Sequence, residues 1–164
     1  MKLYIKQKVF SITDKFTVKD EAETDKYFVE GEFFTLGKKL HIKDANGTEQ
    51  VFIQQKLLSF LPKYFIFMED QQVAEIVQKL SFFKPKYIIT GLDWTVEGDF
   101  SAHQYQIRNK DGNLVVSLTK AWFSWGDSYE LNITNPEDEK MALAAVITID
   151  MAMQQAQSRN NNHN

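Results

Sequence analysis

Asp99, Ser101 and His103 alternate along the chain, a spacing that puts three side chains on one face of an extended strand. A carboxylate, a hydroxyl and an imidazole together invite a hydrolase reading, with serine as nucleophile and histidine as base. The spacing itself argues against it. Alternate residues on a strand lie about 6–7 Å apart, beyond hydrogen-bond reach, and no nucleophile elbow surrounds Ser101. His41 and His103 fall in corresponding parts of an internal repeat, and His163 sits in a polar tail. No HxH, HExxH or carboxylate cluster accompanies them, so no metal ligands are assigned. The stretch Asp44-Ala45-Asn46-Gly47-Thr48-Glu49 is too short for an EF-hand loop and reads as a hairpin turn. There is no glycine-rich phosphate loop and no cysteine, which disfavours nucleotide chemistry, thiolate catalysis, disulfides and cysteine-ligated metals. No catalytic residue, metal or cofactor is expected.

Two segments that mix lysines with aromatics hold more functional promise. In one, Lys79, Phe82, Phe83, Lys84 and Lys86 lie close together just before Tyr87; in the other, Trp122, Phe123 and Trp125 precede a turn at Gly126. Lysines attract anionic headgroups by about 1 kcal/mol each near a charged leaflet, and Trp and Phe suit the interfacial zone. The structural alternative is a solvated basic loop whose neighbouring aromatics pack the ends of a β structure. A net charge of −3 argues against a general nucleic-acid binder.

These residues need a scaffold, and the chain supplies mostly strands. Alternating or β-branched and aromatic segments predict strands near 2–10, 14–19, 27–34, 38–44, 50–58, 62–68, 73–80, 86–90, 94–99, 103–109, 114–121 and 127–134. Turn signals at Asp44–Gly47, Asp111–Asn113 and Gly126–Ser128 and short connections predict a meander of antiparallel hairpins. The exception is the stretch after Asn135. Asn135 can cap a helix, Pro136 suits its first position, and Glu137, Asp138 and Glu139 complement its positive end. From Met141 to Met153 the helix is apolar nearly all the way round, broken only by Thr148 and Asp150. Such a helix is either buried or spans a membrane. At about 1.5 Å per residue the apolar run is roughly 20 Å long, too short for a hydrocarbon core of about 30 Å.

The chain also repeats itself. Val29-Glu30-Gly31-Glu32-Phe33 returns as Val96-Glu97-Gly98-Asp99-Phe100, and Ile42–Gly47 returns as Ile107–Gly112. Further on, Phe60, Tyr64 and Ile66 match Trp125, Tyr129 and Leu131. Two similar β halves closing on one another account for this better than an open stack. About eight strands make a barrel that side chains alone can fill, whereas about twelve leave a hole of helix diameter, roughly 10 Å. The expected fold is therefore mainly β: a closed antiparallel barrel of about twelve strands, in two pseudo-repeats, around the hydrophobic C-terminal helix. In that setting Asp150 must lie near the barrel mouth or have a partner. A proton or ligand site is the functional reading; a carboxylate capping backbone amides at the rim is the structural one, and it is preferred.

The succession KYFVEG (26–31), LHIKDANG (40–47), VFIQQKLLSFLPKYFIF (51–67), VEGDF (96–100), YQIRNKDGNLVVSLTKAW (105–122) and DSYELNI (127–133), with the terminal apolar helix, resembles the LURP-one-related family. That family includes plant pathogen-response proteins and bacterial YxjI-type proteins, and is grouped with Tubby C-terminal domains and phospholipid scramblases. The resemblance spans about residues 4 to 157 and rests on hairpin glycines, strand aromatics and the core helix rather than on catalytic motifs. It implies a Tubby C-terminal-like twelve-stranded barrel around a central helix.

Residues 1–158 are accordingly expected to form one barrel domain, with 159–164 as a polar disordered tail. The expected role is a non-enzymatic binding module that recognises anionic phospholipid at the membrane surface. The alternative is a structural or regulatory scaffold binding a protein partner; an enzyme or a lipid scramblase ranks last. The surface assigned to lipid or partner is Lys79, Phe82, Phe83, Lys84, Lys86, Trp122 and Trp125. With no signal peptide or membrane-length apolar run, the expected location is cytoplasmic, peripheral to the membrane when bound.

Overall fold

Side chains that alternate between apolar and polar give strands with one buried face, and here that face repeats twelve times. The structure, a computed structural model, describes residues 1–6, 15–32, 35–81, 86–100, 102–123 and 126–161. Its strands are β1 (Lys2–Lys6), β2 (Phe16–Lys19), β3 (Asp25–Gly31), β4 (Lys39–Asp44), β5 (Glu49–Gln55) and β6 (Lys63–Met68), followed by β7 (Gln71–Lys79), β8 (Lys86–Thr90), β9 (Trp94–Asp99), β10 (Gln104–Arg108), β11 (Leu114–Phe123) and β12 (Gly126–Ile133). Each strand pairs antiparallel with its sequence neighbours, and β1 closes on β12, so the meander is a closed barrel. Closure leaves no unpaired edge for another chain to extend.

The twelve expected strands are all present, with two kinds of difference at their ends. The strand expected over 50–58 stops at Gln55; Lys56 N–H still donates to the Lys63 carbonyl at 2.8 Å, but Leu58 takes a left-handed conformation (φ 54°) that no strand allows. Residues 7–10 and 33–34, expected to prolong β1 and β3, lie outside the described residues.

After β12, a 3-10 turn (Pro136–Asp138) leads into α1 (Glu139–Asn161). Every residue from Met141 to Met153 is buried within the barrel. A helix with no polar face has no stable place at a surface, and a sheet curled around it buries all sides at once. Ala142, Ala144 and Ala145, all at 0% exposure, keep the helix slender. Thr148 is satisfied locally, its hydroxyl donating to the Ala144 carbonyl at 2.7 Å. The expected side-chain cap at Asn135 does not form; the tight first turn closes on the backbone instead, Asp138 N–H donating to the Asn135 carbonyl at 3.0 Å. The helix also runs through residues 159–161, part of the expected tail, since no Gly or Pro stops it. Glu139 anchors its start to the wall, accepting from Lys26 Nζ at 2.6 Å and from the Tyr27 hydroxyl at 3.1 Å. Among the described residues no helix is long and apolar enough to cross a membrane.

The internal repeat is a repeat of pairing. Val29 faces Ile42 across β3–β4 as Val96 faces Ile107 across β9–β10, and Ile53 faces Ile66 as Leu118 faces Leu131. Even the register shifts recur, between Ile42 and Lys43 and between Ile107 and Arg108. Gly98, opposite Tyr105, shows why its position takes glycine. It sits at φ 138°, and a Cβ there would lie 2.5 Å from the Gln104 carbonyl oxygen and 2.6 Å from Tyr105 Cα. Ala145→Asp puts an unpaired carboxylate at the barrel centre and is expected to abolish soluble, cooperatively unfolding protein; wild-type thermal stability would refute a central helix. Gly98→Ala, forced into a backbone conflict, is expected to destabilise by about 1–3 kcal/mol in a denaturant titration.

Candidate functional site: the loop-bearing rim of the barrel

Because neighbouring strands alternate in direction, their connections gather at two opposite ends. At one end, where the chain enters α1, the connections are tight turns. Three share one design: a side-chain oxygen of Asp20, Asp44 or Asn109 accepts from the N–H groups two and four residues on. The fourth residue of each turn, Glu23, Gly47 or Gly112, takes positive φ (59°, 81° and 80°). This turn end is acidic. Its connections carry Asp20, Glu21, Glu23, Glu69, Asp70, Asp93, Asp111, Glu137 and Asp138 against Lys110.

The opposite, loop end differs in chemistry. Its β3–β4, β5–β6 and β7–β8 connections are consecutive around the rim. Along this arc stand Leu36 (84% exposed), Leu58 (106%), Phe60 (88%) and Leu80 (77%), with Leu57 half-exposed beside them. The loops have a firm base. Gln55 N–H donates to the Lys38 carbonyl at 2.8 Å, Lys38 N–H to Gln55 Oε1 at 3.1 Å, and Gln78 N–H to the Pro62 carbonyl at 3.1 Å. Gly37, at φ 79°, marks a close approach of the β3–β4 and β5–β6 loops: a Cβ there would lie 2.7 Å from Leu57 Cδ2.

Lysines frame the arc. Lys79 and Lys86 are register partners across β7–β8, both exposed, and neither has an ion-pair partner among the described residues. Like charges directly opposite on neighbouring strands oppose pairing. Lys38 is half-buried, and desolvation lowers its pKa. Lys56 is exposed at the start of the β5–β6 loop. The carboxylate of these loops, Glu32, is held by Lys39 and His41.

The residues assigned from sequence fall on this end only in part. Lys79 and Lys86 face each other as described, and Trp122 lies near the end of β11 opposite Asp127, separated from them around the rim by the β9–β10 connection. Phe82, Phe83, Lys84 and Trp125 lie outside the described residues. Sequence reading missed Leu36, Leu57, Leu58 and Phe60, and left Leu80 unassigned inside the Lys79–Tyr87 segment. The signal was the apolar run Leu57-Leu58-Ser59-Phe60-Leu61, whose first residues were absorbed into a predicted strand.

The same end holds the polar seal where α1 leaves the barrel. Strand β9 ends at Asp99, and His103, in the following turn at φ 51°, is not on its face; the expected Asp99–Ser101–His103 face does not form, and Ser101 lies outside the described residues. The turn instead carries His103 onto the Tyr129 ring (centroids 4.9 Å apart) and within hydrogen-bond distance of Asp150, Nε2 to Oδ1 at 3.1 Å. Gln154 Nε2 donates to Asp150 Oδ2 at 2.8 Å. Asp150 is thus partnered by side chains, correcting the expected cap on backbone amides, because its own helix already occupies the nearby N–H groups. A second seal joins the Tyr64 hydroxyl and Gln55 Nε2 to Gln155 Oε1, each at 3.0 Å. Tyr64 and Tyr129, matched in the repeat, therefore serve the two seals. Among the described residues, two buried polar atoms at this end have no hydrogen bond, Gln78 Oε1 and the Tyr87 hydroxyl, whose pKa burial pushes up to about 12. His41 lies on the outer wall against Phe52, its two ring nitrogens bonded to different carboxylates, Glu32 and Glu49, so the three groups do not converge on one point.

Burial raises the pKa of Asp150 despite the opposing pull of His103 and Gln154. The folded state then holds the proton to higher pH than the unfolded chain, so stability falls as pH rises through the folded pKa. Asp150→Asn removes the buried charge and keeps an oxygen for His103. It is expected to raise Tm at pH 7, with the gain shrinking as the pH is lowered into the acid range; a lower Tm at pH 7 would show that the contact with His103 outweighs burial.

Comparison with known proteins places this architecture. The profile of the LURP-one-related family matches residues 1–150. A relative from Bacillus subtilis (strain 168), the uncharacterized protein YxjI, is 40% identical over 153 residues, which cover 93% of this chain and 94% of the relative. The X-ray structure of a protein from Arabidopsis thaliana superposes with a TM-score of 0.61 at 15% identity, covering 91% of this chain and 89% of that one. The structural likeness shows the fold alone, and that fold is the closed twelve-stranded barrel around a C-terminal helix that the resemblance implied. By sequence along nearly its whole length, the chain belongs to the LURP-one-related family.

Proposed function

We propose that the chain is a non-enzymatic binding module that docks on anionic phospholipid surfaces through the loop end of its barrel. The observation that carries this reading is the axial separation of charge. A net charge of −3 hides an acidic turn end and a lysine-framed loop end. Close to a negative leaflet such a molecule is oriented: the turn end is repelled, and each lysine near the surface contributes about 1 kcal/mol. The Lys79–Lys86 juxtaposition supports the same reading, since two facing ammonium groups gain most from an anion placed between them.

Cosedimentation with neutral and anionic vesicles at low and physiological salt tests this. Binding is expected only to anionic vesicles, weakened as salt screens the charges over a Debye length of about 8 Å. Reversing both charges, Lys79→Glu with Lys86→Glu, is expected to weaken binding by about tenfold or more, as two reversed contributions near a charged leaflet would, while Tm stays unchanged. Absence of binding to anionic vesicles at low salt would overturn the reading and turn attention to an acidic protein partner.

A further inference from the structure

We propose that the β5–β6 loop, with Leu58 and Phe60 at its tip and Leu36 and Leu80 on either side, inserts into the acyl boundary of the bilayer once the lysines have brought the barrel down. The inference rests on the membrane reading above and adds a second, apolar contact to it.

Three observations single out these side chains. Of the large hydrophobic residues exposed among the described residues, Leu36, Leu57, Leu58, Phe60 and Leu80 all lie on this one arc, while Leu92, at the turn end, reaches only 36% exposure. Scattered apolar residues need no explanation, but tips gathered on consecutive loops do. Leu58 is also held at φ 54°, a left-handed conformation that disfavours a branched side chain and would suit Gly or Asn. Neither packing nor backbone preference accounts for a leucine that is fully exposed and strained. Finally, the arc matches one occupant. Its apolar tips stand beyond a base carrying Lys38, Lys56, Lys79 and Lys86, the order of a bilayer met from outside, with anionic headgroups at the level of the lysines and acyl chains beyond them.

The geometry also sets the pose. Burial along α1 falls from complete at Met153 to partial at Gln154–Ala156 and exposure at Ser158, so a polar helix end emerges inside the ring. The barrel must therefore lean toward its β3–β8 side, placing the apolar arc in the lipid and the helix end among headgroups.

The chain has no cysteine, so Leu58→Cys gives a single site for an environment-sensitive fluorophore. With vesicles of phosphatidylcholine and phosphatidylserine, the expected result is a blue shift and a rise in emission, quenched by lipids labelled within the acyl chain. The same label at Asn46→Cys, on the turn end, is expected not to respond. In unlabelled protein, Leu58→Ser with Phe60→Ser is expected to weaken binding at physiological salt by about tenfold or more, given the apolar area withdrawn from lipid, with Tm unchanged. Cosedimentation without any response at position 58 overturns insertion and leaves the electrostatic reading standing. A label that responds equally at both positions overturns the oriented pose. No sedimentation with anionic vesicles at low salt overturns both readings together.

Discussion

A helix without a polar face must be enclosed, and this requirement governs the whole molecule. From Met141 to Met153 no side of α1 can face water, and one sheet layer covers one side only. The chain meets the demand by wrapping twelve strands into a cylinder wide enough for a helix. Removing the helix would leave a large void; opening the sheet would bare both the helix and two strand edges. Helix and barrel are therefore conditions of each other. The alanines Ala142, Ala144, Ala145 and Ala152 show the fit from inside, while isoleucine, valine and tyrosine fill the wall.

The wall has an approximate twofold repeat and its contents do not. Matched pairs such as Val29–Ile42 and Val96–Ile107 keep the same register, but one helix cannot be symmetric about the barrel axis. The difference is absorbed where the helix leaves. Tyr64 binds Gln155, and its counterpart Tyr129 instead backs His103 against Asp150. A repeated wall thus acquires distinct seals, and the loop end acquires a chemistry unlike that of the turn end.

How far this was legible from sequence depended on whether each feature is local. The helix core was legible because thirteen successive positions from Met141 are apolar with two exceptions. The strands were legible from alternation, and the turns at Asp44 and Asn109 from side chains that bond two residues ahead. Pairing across long separations was not. His103 meets Asp150 only because a positive-φ turn redirects it across the mouth. Lys79 faces Lys86 through register alone, although proximity in sequence pointed to the same segment. The apolar tips were hidden for a different reason: Leu57 and Leu58 continue the pattern of β5, and only backbone geometry shows that the strand has ended.

The position of α1 along the chain has a consequence for biogenesis. Residues that fill the barrel follow all twelve strands, and β1 cannot find β12 until the ten strands between them have been made. A ribosome-bound nascent chain would hold a row of hairpins whose inner faces, such as Val29, Ile42 and Ile53, have nothing to pack against. Domains that can fold from their first residues do so during synthesis. This one must wait until α1 has followed β12, then close around it in a late step dominated by contacts between elements far apart in sequence.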